Sequence, residues 1–199
     1  MELPMQELNS LRLLGIDPGT GHIGVSIGSL ILNDDNSIIG LKLEDVYTIF
    51  TDRLVNRHYS EYSEKFGQRA AMLKAGLDSI LKYVKTWKPF AVGYEDSYLG
   101  NRGGATAFGS GKEIQAKVVE GLRNLDSSLR IEIFEPSLAK RVIKVHGRSK
   151  DKKEVVKALY NASYLDTNGF NLDNLTEHAC DSIMLLCNIY LRIVEDYNK

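Results

Sequence analysis

Apolar positions along the chain fall first into strand-like runs and later into helix-like stripes. Residues 11–17 and 22–32 are two apolar runs joined by Pro18-Gly19-Thr20-Gly21, and Ile38 to Phe50 is a third run, broad and partly alternating. The polar turn Asn33-Asp34-Asp35-Asn36-Ser37 separates the last two. Three consecutive strands with short connections predict an antiparallel meander. Residues 51–60 are polar and read as irregular. From Tyr62 to Trp87 the period changes: Phe66, Ala70, Leu73, Leu77, Ile80, Leu81 and Val84 mark one helical face, and Pro89 stops the helix. Phe90 to Tyr94 then reads as a buried strand ending in Glu95-Asp96. Residues 97–111 carry Gly100, Gly103, Gly104, Gly109 and Gly111 and read as a glycine-rich loop. Helices are expected at 112–125, from Pro136, at 151–161 and at 175–197, with a strand at 129–134. The order βββ-α-β-α-β-α-α-α implies a mixed five-stranded sheet flanked by helices. A three-strand antiparallel meander is joined by two parallel strands that return through helical crossovers. Residues 1–10 are read as an N-terminal extension and 11–199 as one domain.

The composition adds bounds. The 199 residues are 43% hydrophobic, enough for a sizeable core. Met1 to Ser10 has no apolar signal-peptide core, and no run approaches the length of a membrane helix, so a cytoplasmic protein is expected, or one of an organelle matrix or host cytoplasm if virus-encoded. Cys180 and Cys187 lie seven residues apart on one expected helix, too far for a disulfide, and read as buried free thiols. The formal net charge is only −1, but charge is sorted along the chain. Residues 138–157 hold eight basic and two acidic residues, a net +6, and the remainder, with 17 basic and 24 acidic residues, carries −7. Lys140, Arg141, Lys144, Arg148, Lys150 and Lys152 are therefore candidate phosphate contacts, against the plainer alternative of a solvated basic helix face.

Three places combine the end of an element with metal-capable side chains. Asp17 closes the first strand, where Pro18, Gly19 and Gly21 allow a tight turn and a close backbone approach. The same residues also suit a plain hairpin turn. Glu95 closes the strand 90–94, and alternation places it on the face of Gly93, with Asp96 turned away. His178 and Asp181 share one face at the start of the last helix, where the small Ala179 and Cys180 would let that helix sit close to the sheet. Glu177 fits a capping box with Asn174 as N-cap. Carboxylates from separate elements suit hard divalent cations, and an imidazole among them tilts the set toward Mn²⁺.

GIDPGTGHIGVSI, the strand ending in Glu95, the Ser137-Leu138-Ala139-Lys140…Gly147…Lys152 region and His178-Ala179-Cys180-Asp181 occur in the order found in RuvC-type Holliday-junction resolvases. The chain resembles that family, of the RNase H-like and retroviral-integrase superfamily, over about residues 11–192. The resemblance implies an RNase H-like fold and a homodimeric endonuclease. It would nick four-way DNA junctions in pairs, with two Mg²⁺ or Mn²⁺ ions per site, leaving 5′-phosphate and 3′-hydroxyl ends. It makes Asp17, Glu95, His178 and Asp181 the metal-binding catalytic set, the third position being Asp or His within the family. It matches Tyr98 to an aromatic residue near the junction's exchange point, Lys140 to a DNA-contacting lysine, and Lys152, less cleanly, to a second. The near-neutral charge, the glycine-rich loop and residues 1–10 depart from the family pattern.

Three rivals share parts of the pattern. A RuvX/YqgF-like RNA-processing nuclease shares the first motif on a shorter chain. A sugar-kinase/actin/Hsp70-type ATPase shares Asp-x-Gly-Thr but needs two such halves. A DNA-binding module with a dead site is disfavoured because all four metal positions hold competent residues.

Overall fold

The computed structural model describes residues 11–96, 104–147 and 151–199. The three expected strands are present as β1 (Arg12–Asp17), β2 (His22–Leu32) and β3 (Ile38–Phe50). β4 (Ala91–Glu95) and β5 (Arg130–Phe134) extend the sheet parallel to β1, in the order β5-β4-β1-β2-β3-β6. The sixth strand, β6 (Leu165–Asp166), was not expected. It pairs with Leu41 and Lys42 of β3 over two residues, too few to leave a periodic signal.

The helices correct three boundaries. Residues 51–58 are not irregular but form α1 (Thr51–His58). Its one buried apolar residue, Val55, packs against Ala71 and Ala75, so a polar sequence is held helical by tertiary contact. The long helix expected from Tyr62 is two, α2 (Ser60–Phe66) and α3 (Gln68–Trp87), broken at Gly67, whose φ of +88° no helix interior contains. The second half of the glycine-rich stretch is helical, since α4 spans Gly104–Leu125. α5 (Pro136–Val142), α6 (Lys152–Tyr160) and α7 (Glu177–Tyr197) follow as expected.

Strand alternation sorts the helices to two faces. Leu14 and Ile16 of β1 join Val92 and Tyr94 of β4 in a core under α3 and α4. Leu13 and Ala91 face α5, α6 and α7 in a second core that holds both cysteines as free buried thiols. Gly15, Asp17, Gly93 and Glu95 lie in phase with this second face, so alternation alone aims both carboxylates toward α7.

The contact between α7 and the sheet is one of backbone on backbone. A Cβ at Gly15 would lie 2.0 Å from the Ser182 carbonyl oxygen, one at Gly24 1.8 Å from that of His178, and one at Gly93 2.7 Å from that of Leu185. Three strands thus present glycine where α7 crosses them. Ala179 and Cys180, both buried, complete the fit from the helix side, as the sequence suggested.

Candidate active site

Asp17 ends β1 and Glu95 ends β4, one step past the paired residues Ile16 and Tyr94. The two carboxylates therefore emerge side by side at the same edge of adjacent parallel strands, a usual place for a site in such sheets. The first turn of α7 lies over them and adds His178 and Asp181. His178 Nδ1 and Asp17 Oδ2 are 2.6 Å apart, and the Asp17 side chain is nearly buried at 6% exposure. Asp17 and Glu95 lie close enough for the Asp17 carboxylate to act on the Glu95 carboxyl. The structure thus gathers all four residues singled out in the sequence.

Their electrostatics follow from that crowding. Burial, then the charge of Asp17, raise the Glu95 pKa well above the usual carboxylate range. Burial and the Asp17 charge likewise push Asp181 up to about 7. The hydrogen bond to Asp17 raises His178 against the opposing effect of burial. Lys140 on α5 is close enough to lower both Glu95 and Asp181, but it does not cancel the repulsion. The crowding thus favours the protonated forms of Glu95 and Asp181.

Among the described residues no three of these groups already form a ready-made metal shell. One Asp17 oxygen, Oδ2, is already engaged by His178 at 2.6 Å. The donor chemistry nonetheless fits a hard divalent cation, with three carboxylates, one imidazole and an uncompensated negative charge. A cation would compete with protons at these carboxyls.

Several supports hold the site, and sequence reasoning missed most of them. Thr176, not Asn174, is the N-cap of α7, accepting from the Ala179 backbone N–H at 3.1 Å. Asn174 belongs to a preceding 3₁₀ turn, Leu172–Asn174, and Glu177 is the first helical residue, so the expected capping box is absent. The Thr176 hydroxyl is hydrogen-bonded to that of Thr48 on β3. Thr51, fully buried, donates its hydroxyl to the Thr20 carbonyl at 2.6 Å and pins the turn after Asp17. A Cβ at Gly19 would fall 2.2 Å from the His22 carbonyl oxygen, so this turn needs glycine there. The His22 ring lies 5.8 Å from that of His178 and edge-on to Phe50 at 5.1 Å. His22, placed by the return strand of the first motif, had no spacing signal that pointed to it.

The basic residues divide. Lys140 is half-buried beside the carboxylates, and Arg141 and Lys144 are exposed on α5 and the loop after it. Lys152, expected as a phosphate contact, is engaged within the protein. Its ammonium donates to the carbonyls of Asp173, at 2.9 Å, and Leu175, tying α6 to the segment that enters α7. Asp96 forms an ion pair with Lys112, consistent with its turning away from the site. Tyr98, Arg148, Lys150 and residues 1–10 lie outside the described residues.

No family model and no curated protein sequence matches this chain. Solved structures do. RuvC of Thermus thermophilus, in complex with a Holliday junction substrate, matches with a TM-score of 0.62 at 17% identity, over 92% of this chain and 96% of that one. The yeast mitochondrial Holliday junction resolvase Ydc2 matches with a TM-score of 0.52 at 14% identity, over 94% and 85% of the two chains. Fowlpox virus resolvase, solved with substrate Holliday junction DNA, matches with a TM-score of 0.51 at 14% identity, over 94% and 99%. At these identities the likeness is one of fold: this chain has the RNase H-like architecture of those proteins along nearly its whole described length.

Proposed function

We propose that this protein is a metal-dependent endonuclease that resolves four-way DNA junctions by paired, symmetric nicks. The observation that carries the reading is the convergence of Asp17, Glu95 and Asp181 from three elements into one crowded cluster, with burial and the Asp17 charge raising Glu95 and Asp181. The fold it sits on is that of three resolvases whose names or ligands specify Holliday junctions.

Asp17, Glu95, Asp181 and His178 would hold Mg²⁺ or Mn²⁺, two ions per site. Such ions, when bound, supply an activated water and charge stabilisation at the departing 3′-oxygen. The chain's own residues do the rest. Asp17, the most buried, fixes the centre of the set on a rigid strand end. Glu95 and Asp181 must give up their protons before the set carries its full negative charge. Lys140 lowers the cost of that ionisation. Together with the exposed Arg141 and Lys144, it offers positive charge to the DNA backbone beside the reacting phosphate. Tyr98, Arg148 and Lys150 complete the proposed DNA contacts. The described residues of one chain hold one such cluster, so two symmetric nicks call for two copies, and the active form is a homodimer. No described helix is long and apolar enough to cross a membrane.

The test is Asp17→Asn. The neutral amide keeps the shape and removes the central charge. Cleavage is expected to fall at least about 10³-fold, the loss of roughly 4 kcal/mol of transition-state stabilisation, while junction binding persists. Near-wild-type cutting by the variant would overturn the assignment.

A further inference from the structure

The strongest unassigned feature lies beside the active site, on the α1–α3 side. A groove of about 470 Å³ runs between the end of β3, α1 and α3. Its cations are Arg53 and Arg57 of α1 and Lys82 of α3, and no acidic side chain lines it. In a chain with 26 acidic residues that is a biased surface. Arg53 and Arg57 are one helical turn apart on one face of α1. Ser79, Lys82, Tyr83 and Thr86 form a single stripe along α3. All three cations are exposed, and among the described residues none takes part in an ion pair. Asp45, which does not line the groove, accepts from the Tyr83 hydroxyl at 3.0 Å.

The walls are aromatic. The Arg53 guanidinium sits over the Phe50 ring, 4.2 Å from its centroid, and Tyr47 packs edge-on to Tyr83 at 5.1 Å. Stacking holds Arg53 in place while its N–H groups stay in solvent, which suits capture of an oxyanion.

Two contacts tie this groove to the catalytic cluster. Phe50 touches His22, which in turn lies against His178. Thr48, another lining residue, is hydrogen-bonded to Thr176, the N-cap of the helix that carries His178 and Asp181. A polyanion lying across the carboxylates therefore meets this groove on leaving them.

We propose that Arg53, Arg57 and Lys82 form a second phosphate-binding track that grips the phosphodiester backbone of the substrate DNA where it leaves the cleavage site, opposite the basic segment of α5. The inference rests on the nuclease reading above and extends it, adding a contact surface from a helix whose sequence gave no sign of one.

The experiment compares the wild-type chain with the triple variant R53A/R57A/K82A on a labelled synthetic four-way junction. Dissociation constants are measured in Ca²⁺ from 50 to 200 mM salt. A variant lacking three exposed lysines elsewhere, K65A/K85A/K199A, reports the effect of net charge alone. All three substituted groove side chains are exposed, so melting temperatures should agree with wild type. R57E serves as a second, single-site variant. If each cation neutralises one duplex phosphate, the log–log salt slope of the triple variant falls by about 2.7, or about 2 if the track holds single strand. Affinity at 0.1 M salt then drops about 10²-fold or more. R57E should lose at least as much as one such contact. Wild-type binding and cutting with an unchanged slope in the triple variant would overturn the track and leave the nuclease reading standing. A wild-type chain that neither binds nor cuts the junction would overturn both.

Discussion

Gly24→Ala tests whether the site depends on the closeness of α7 to the sheet. The new Cβ would lie 1.8 Å from the His178 carbonyl oxygen, 2.3 Å from its carbonyl carbon and 3.1 Å from the Ala179 nitrogen. Real Cβ atoms essentially never come closer than 3.0 Å, so strand and helix must part by about 1.2 Å. Every atom in the clash is backbone or fixed to it, and no side-chain rotation relieves it. The imidazole moves with its backbone, and its 2.6 Å contact with Asp17 opens beyond hydrogen-bonding range. Overpacking of this kind costs about 1–3 kcal/mol of stability. A misplacement near 1 Å in catalytic groups costs about 10²-fold in rate. Gly28→Ala is the control. Its Cβ would meet Leu41 Cδ1 at 2.8 Å, a flexible side-chain end, and Leu186 Cδ2 and the Lys42 carbonyl oxygen at 3.0 Å each, on the same face away from the carboxylates. Single-turnover cleavage of a four-way junction at saturating enzyme, with melting curves for each variant, separates the two effects. Gly24→Ala should lose about 10²-fold in cleavage while folded and able to bind junction, and Gly28→Ala should lose stability with cleavage within a few-fold of wild type. A folded Gly24→Ala that cuts within threefold of wild type would refute the argument that this contact positions the site.

Three further outcomes are expected. Glu95 and Asp181 hold raised pKa values, Asp181 about 7, so between about pH 4 and 7 the metal-free folded state binds protons that the unfolded chain has released. The stabilising protonation of Asp181 is complete below pH 4 and is lost as pH climbs through about 7, and Glu95, raised well above the usual carboxylate range, acts in the same direction. His178, also raised, acts in the same direction. Asp181→Asn should therefore gain melting temperature relative to metal-free wild type from pH 5 to 8, and wild-type cleavage should rise with pH through about 7; a stability difference that shrinks with pH would contradict this. Lys140→Ala should reduce the salt slope of junction binding by about 1 and move the pH–rate profile upward, since Lys140 lowers both carboxylates; binding titrations and pH–rate measurements check the two effects separately. Lys152→Ala removes charged hydrogen bonds to two carbonyls at a half-exposed position and should cost about 1–2 kcal/mol in denaturant unfolding while leaving the salt slope unchanged; a slope reduced by 1 with full stability would return Lys152 to the DNA surface.

The carboxylates were legible in the sequence because strand alternation is local. Asp17 and Glu95 each end a short apolar run, and their phase fixes the face they share with Gly15 and Gly93. His178 and Asp181 were legible because a spacing of three defines one helix face. What escaped depends on partners distant in sequence. Gly24 reads as an ordinary strand glycine, and only the crossing of α7 makes it indispensable. The N-cap of α7 was misplaced because Asn171, Asp173, Asn174 and Thr176 all suit a cap; the 3₁₀ turn takes Asn171 as its own cap and leaves Thr176 for the helix. α1 carries too few apolar residues to show a period, and its helicity comes from Val55 meeting Ala71 and Ala75. Lys152 looked like one more member of a basic run until its two carbonyl partners were visible.

The most direct test of junction resolution is cleavage of a labelled synthetic four-way junction in Mg²⁺ or Mn²⁺, beside a linear duplex and an RNA–DNA hybrid of matching sequence. Paired, symmetric nicks confined to the junction, abolished by EDTA and by Asp17→Asn, are the predicted result. Cutting of the hybrid with the junction left intact would contradict it, keeping the fold and moving the activity to RNA.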